Sequence, residues 1–403
     1  MELFWLEHKK LWRKKIVKIC VLLCFVYCVI FGSILSFQWF SFGSSDDYTS
    51  AFGNNFDGYT VIKDSQEYAL SFGGELTDET LQQIVSDYQQ MEADGMEEEL
   101  EKTDWRIVNS WLGTLYPELR DTSNYKTMIS YVDPDKLTGF YERRQQVLDE
   151  FLEVSGQVGA EKEFLHQIER KVEKPFHYEW VEGWSTLLGS MVADLGVVMA
   201  LFLGIVLSSL FAGEWHDNTS TLVLTTRNGW GKIALAKILT GFAFTVELFA
   251  LLAVSIVISQ LFFMGTAGWD MPIQNIKLIA VAPMNMLQAE IYEYAFVLLG
   301  AIGFAGIVMF ISAAVKNNVL TLLLSLAVVY GPMMIAEYLP YEMQKALDLI
   351  PLVGSSTDIF RTNTFRIFGK LIWSPYLLIT IPVLIGILCM PFAIKSWSRR
   401  MKA

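Results

Sequence analysis

Residues 184–212 read WSTLLGSMVADLGVVMALFLGIVLSSLFA, and this stretch decides the fold. It holds 29 residues and a single charged side chain, Asp194. A helix needs about 20 mostly apolar residues to cross a bilayer. Runs of the same kind occur at Val17–Phe40 before it and at Ile233–Met264, Ile291–Val315, Val319–Glu337 and Leu371–Ile394 after it. Val17–Phe40 has no charged residue beyond Lys18 and no small-residue cleavage site behind it. Its length exceeds the roughly 7–15 apolar residues of a signal-peptide core, so it reads as a retained anchor. The expected fold is a mainly α membrane protein with six transmembrane helices.

Composition agrees. Of 403 residues, 53% are hydrophobic and 18% charged, with mean hydropathy +0.35. Soluble domains carry about 25% charge, so neither a disordered chain nor an ordinary soluble enzyme fits. A net charge of −12 argues against a nucleic-acid partner, and four cysteines exclude a disulfide scaffold.

Lysine and arginine give the sidedness. Lys9, Lys10, Arg13, Lys14, Lys15 and Lys18 precede span 1; Arg227, Lys232 and Lys237 lie between spans 2 and 3; Lys316 joins spans 4 and 5; Lys395, Arg399, Arg400 and Lys402 end the chain. That face is expected to be cytoplasmic, with both termini on it. Lys345, Arg361, Arg366 and Lys370, between spans 5 and 6, dissent. Trp5, Trp12, Trp215, Trp230 and Trp397 fall at inner ends, and Trp39, Trp180, Trp184, Trp269 and Trp373 at outer ends, as an aromatic belt requires. The chain divides into an amphipathic interfacial helix (1–15), span 1 (16–40), an extracellular domain (41–180) and spans 2–6 (181–403).

Residues 41–180 hold 29 acidic and 12 basic side chains, a net of −17, and no cysteine. This domain is expected to be acidic and mostly helical. Thr77 is a candidate N-cap with Asp78 and Glu79 in the first turn, followed by Leu81, Ile84, Val85, Tyr88 and Met91 at helical spacing. A second amphipathic stretch carries Leu137, Phe140, Val147 and Phe151; a third runs from Glu161 to Val172. Tyr59–Phe72 suits either strand or helix. The acidic run from Glu92 to Asp104 reads as a solvated face, with a cationic-peptide contact as the sharper alternative. A reduced surface domain fits a Gram-positive-like cell surface.

Enzyme signatures are missing from the sequence. His8, His166, His177 and His216 form no metal pair at ligand spacing, and no G-x-S-x-G elbow occurs. Gly229-Trp230-Gly231-Lys232 lacks P-loop spacing, so the chain has no visible means of hydrolysing ATP. Cys20, Cys24 and Cys28 recur every four residues, and small residues recur in steps of three and four from Gly189 through Ala193, Gly196, Ala200 and Gly204 to Ser208; close helix packing explains both lines. Asp194 and Glu247 are intramembrane acids, which must face protein or a wet cavity. Ion coupling, a translocation path and a structural hydrogen bond all remain open for them. Met199 and Tyr330 join them as candidate path residues. Glu290 and Glu293, at the outer end of span 4, read as interfacial.

The loop between spans 2 and 3, residues 211–237, reads FAGEWHDNTSTLVLTTRNGWGKIALAK. At Phe211, Glu214, Asn218-Thr219, Leu222-Val223-Leu224, Thr225-Thr226, Arg227 and Ala236-Lys237 it resembles the membrane subunits of type-2 ABC exporters. Asn218 stands where that family has Gly, and no Pro precedes Arg227. Gly74–Leu81 (GELTDETL) also looks like the ectodomain of such permeases from Gram-positive bacteria. The resemblance implies a coupling helix within residues 213–232, with Glu214, Trp215, Asn218, Thr219, Leu222 and Arg227 coupling to two copies of a separate ABC ATPase. It implies a second permease, identical or related, beside this one. It also implies that spans 1, 2 and 5 face the path and that residues 338–370 dip into the outer leaflet. ATP and Mg would be held by the partner, with no cofactor on this chain. The expected setting is a bacterial cell membrane, and the expected cargo an antimicrobial peptide or other amphipathic toxic compound. An ion-coupled secondary transporter, a sodium-extruding ABC permease and a membrane-anchored peptide sensor are the alternatives.

Overall fold

The computed structural model describes residues 2–41, 66–67, 69, 73–96, 105–121, 126–217, 219, 231–315, 317–354 and 363–399. Among the described residues five helices are long and apolar enough to cross a membrane: Asp194–His216, Lys232–Met264, Met286–Ala314, Asn318–Tyr338 and Ser374–Ser398. The chain opens with two helices, α1 (Glu2–Arg13) and α2 (Lys15–Ser41).

The stretch read as one helix over Trp184–Ala212 is two pieces. A short α7 (Glu182–Thr186) meets α8 (Val192–His216) through a π-helical turn at Leu187–Met191, where Leu188 leaves helical backbone geometry. Then follow α9 (Lys232–Met264), α10 (Met286–Ala314), α11 (Asn318–Ile335), a short α12 (Tyr341–Leu347) and α13 (Ser374–Arg399). α10 starts five residues earlier than expected, because Asn285 and Gln288 form a reciprocal capping box. α13 starts later than Leu371, since residues 370–373 form strand β4 (Lys370–Trp373), paired antiparallel with β3 (Thr364–Ile367).

Small residues set the bundle's tightest contact. Gly300, Gly303 and Gly306 line one face of α10. A Cβ at Gly306 would stand 2.6 Å from Gly386 on α13, and one at Gly300 would stand 3.1 Å from Leu352. The small line on α8 also packs: Gly196, Ala200, Gly204 and Ser208 are buried, and Gly204 lies against Leu322 and Leu326 of α11. On α2, Val17, Cys20, Cys24 and Cys28 are buried while the residues between them are mostly exposed. α2 packs chiefly on α9.

A mostly helical module covers the end of the bundle opposite the chain termini. It comprises β1 (Gly74–Leu76), α3 (Asp78–Ala93), α4 (Trp105–Leu115), α5 (Phe140–Val154), α6 (Ala160–Glu169) and β2 (Phe176–Tyr178). β1 and β2 pair antiparallel, Gly74 opposite Tyr178. Thr77 caps α3 as its sequence predicts, accepting from the Thr80 amide, and Leu81, Ile84, Val85 and Tyr88 face the core. The buried face of α5 differs from the expected one. It is Phe140, Arg144, Leu148 and Leu152, while Phe151 is exposed.

Arg144 explains the shift. Its Nη1 bonds Glu169 at 2.6 Å, and its Nε and Nη2 donate to the carbonyls of Leu278 and Ala280 at 2.7 and 3.1 Å. The arginine thus clamps the module onto the loop between α9 and α10. Trp111 Nε1 adds a bond to the Asn275 carbonyl, and Asn275 Nδ2 returns one to the carbonyl of His177. Next to this, Gly268 at φ +79° brings its backbone against the Trp180 carbonyl, an approach that leaves no room for a Cβ. A second clamp reaches the β3–β4 hairpin: Thr364 Oγ1 donates to Gln157 Oε1 at 2.7 Å, and Arg366 pairs with Glu161 at 2.5 Å.

Candidate functional site at the termini end of the bundle

The last two turns of α8 form a junction. Ser312 on α10 sends its hydroxyl into the backbone of α8, donating to the Ser208 carbonyl at 2.7 Å and accepting from the Phe211 and Ala212 amides at 3.1 Å. Phe211 and Trp215 then meet Trp397 near the end of α13, ring centroids 5.5 and 6.0 Å apart. Apolar packing therefore fixes this end of α8 against α10 and α13.

One turn on, charge takes over. Glu214 is 5% exposed and accepts from Lys10 Nζ at 2.5 Å, Lys237 Nζ at 2.8 Å and Thr219 Oγ1 at 2.5 Å. Lys237, near the start of α9 and 2% exposed, also pairs with Glu7 at 2.8 Å. Lys14 donates to Ser209 Oγ at 2.9 Å. Burial pulls the Lys10 ammonium down, but the hydrogen bond and charge of Glu214 outweigh it and hold its proton above the ordinary lysine range. Lys14 is lowered instead, by burial and then by the charges of Lys237 and Lys10. Three segments far apart in sequence thus share one carboxylate, which is charge-compensated as a buried acid must be.

α1 lies along the first half of α9. Glu7 meets Lys237, and further along His8 Nε2 and Trp12 Nε1 hold Glu247 at 3.2 and 3.0 Å, with Trp12 edge-on to Phe244. α9 has 33 residues, about 50 Å at 1.5 Å per residue. A hydrocarbon core is about 30 Å thick, so the helix is long enough to run beyond it. Glu247 therefore belongs with the N-terminal helix. Asp194 stands elsewhere, in the first turn of α8 and half-buried. The Tyr330 hydroxyl reaches the Val197 carbonyl one turn from Asp194, at 3.5 Å, and Met199 is fully buried. The structure gathers Asp194 and Tyr330 onto neighbouring stretches of α8 and α11 and keeps Glu247 apart from them.

Of the six expected coupling residues, Glu214, Trp215 and Thr219 meet in this junction. Asn218, Leu222, Arg227 and the coupling helix itself lie outside the described residues. Glu214 faces inward, with its carboxylate engaged by the chain's own lysines. Sequence reasoning missed Lys10, Lys14 and Ser312. The basic run of 9–18 was legible as interfacial charge, but nothing in it marks which lysine is buried. Glu290 and Glu293, read as interfacial, are 5% and 6% exposed. Among the described residues no group of three or more His, Cys, Asp or Glu side chains could hold a metal ion.

Comparison with known protein families, curated proteins and solved structures finds no match for this chain.

Proposed function

We propose that the chain is the membrane subunit of an ATP-driven type-2 ABC exporter. α2, 27 residues long, is then a sixth span, both termini are cytoplasmic, and the module of α3–α6 is extracellular in a bacterial cell membrane. The observation that supports this reading is the Glu214 junction. It sits at the last turn of an apolar helix, where the loop of 218–230 departs, and ties α8 to α1 and α9. A push delivered to that loop by a docked ATPase moves all three helices together. The ATPase, in two copies, holds ATP and Mg and does the hydrolysis; a second permease, identical or related, completes the path. Asp194, Met199 and Tyr330 belong to the α8–α11 side facing that partner. The acidic module attracts a cationic amphipathic cargo such as an antimicrobial peptide.

In this reading Glu214 transmits force by holding α1, and the residues of the loop beyond it touch the ATPase. The test is affinity purification of the full chain from cells that also express its neighbouring genes, with subunits counted by native mass spectrometry. Two ATPase copies and two permeases are expected. Uphill cargo transport by the chain alone, with no nucleotide-hydrolysing subunit, overturns the reading.

A further inference from the structure

Glu290 lies in the second turn of α10, 5% exposed, and the junction at the other end of the bundle does not use it. Neither of its carboxyl oxygens has a hydrogen-bond partner. Tyr294, one turn further on, brings its buried phenol beside Glu290. Among the described residues no Lys, Arg or His forms an ion pair with Glu290, and no third acid, His or Cys completes a metal set. The neighbouring titratable groups are neutral or acidic. α10 itself supplies Tyr292, Glu293 and Tyr294. Cys28 of α2 lies near Tyr294, and Tyr376 of α13 lies near Tyr292. α9 contributes the apolar ring of Phe249, 6.2 Å from Tyr294.

A buried carboxylate with no cation and no donor is strongly disfavoured. The carboxylic acid is not, since one proton removes the charge. We propose that Glu290 is a proton-binding site, carrying its proton while α10 is packed beneath the module and releasing it to water when that end of the bundle opens. The inference goes beyond the exporter reading and its test requires no ATPase.

The experiment is infrared spectroscopy of the full chain in lipid nanodiscs, comparing the wild type with Glu290→Gln and Glu293→Gln. At neutral pH the wild type should show the C=O band of a protonated carboxyl, sensitive to deuterium. Glu290→Gln should remove it and Glu293→Gln should leave it. Glu290→Gln should also elute as folded protein and melt at or above the wild-type temperature. A band untouched by Glu290→Gln, or one abolished by adding sodium ions, overturns the proposal. So does a Glu290→Gln protein that melts well below the wild type at neutral pH.

Discussion

Arg144 and Glu169 form a buried ion pair, Nη1 to Oε1 at 2.6 Å, with side chains 0% and 3% exposed. The same guanidinium serves two carbonyls of the loop between α9 and α10. One residue therefore joins the core of the module to the helices beneath it.

Arg144→Met leaves Glu169 with only Lys174, the Leu278 carbonyl without its donor and the Ala280 carbonyl with Gln274 alone. Breaking a buried pair on one side costs about 3–5 kcal/mol. The expected outcome is a module that unfolds before the bundle, seen as a new low-temperature transition and as rapid proteolysis within residues 105–180. Arg144→Lys should rescue little, since an ammonium lacks the planar fork that spans three acceptors.

Acid should weaken the same clamp. Burial raises the Glu169 carboxyl, but hydrogen bonds from Lys174 and Arg144 and their charges outweigh it and hold it below the usual range. A group depressed on folding contributes stability above its unfolded value, about 4.3 for Glu, and loses it as pH falls through the folded value. Module melting should be flat from neutral pH down to about 5 and then fall. Glu169→Gln should start lower and show a shallower acid decline; an unchanged slope would remove Glu169 from the account.

Glu214→Leu leaves Lys237, 2% exposed, with Glu7 alone, whereas Lys10 remains largely in solvent. The loss should approach the same few kcal/mol and release α1, so trypsin should cut faster at Lys9, Lys10 and Arg13. Adding Lys237→Met to Glu214→Leu should recover stability, because the pair is replaced by apolar groups of similar size. In the exporter reading both proteins lose coupled ATPase activity. The double variant then separates folding from coupling.

Gly306→Val should force α10 and α13 apart. Overpacking costs about 1–3 kcal/mol where side chains yield, and here the obstacle is the backbone of Gly386, so the loss should reach at least the upper end. Gly331→Ala on α11, with nothing within 4 Å of the added Cβ, is the control. It should hold or gain stability, Ala being the better helix former. Thermal unfolding of the detergent-solubilised chain measures both.

The apolar helices were legible because length and hydropathy are one-dimensional properties. Ile233–Met264 needs no tertiary partner to be recognised. The Thr77 cap was legible because a cap is local. The kink at Leu188 was not, since no Pro breaks the run. The face of α5 was misread for a definite reason: apolar spacing discards an arginine, and only Glu169 and the loop carbonyls of 278–280 make Arg144 a core residue. Only the end of β4 was absorbed into span 6, because Leu371, Ile372 and Trp373 are as apolar as the helix they lead into; β3 fell in the loop read over 338–370. Glu214 was recognised by its motif, but its partners lie 204 residues upstream and 23 downstream, a separation that no local pattern spans.

Gly74 stands opposite Tyr178 in the β1–β2 ribbon, so the hundred or so residues between them begin and end at one doorway. A cassette with a single doorway can be trimmed, enlarged or exchanged without re-threading any helix below it, provided the replacement still offers something to grip the turn at 275–280 and the β3–β4 hairpin. Diversification of the exposed face and preservation of the moving parts are thereby made separate problems for natural selection.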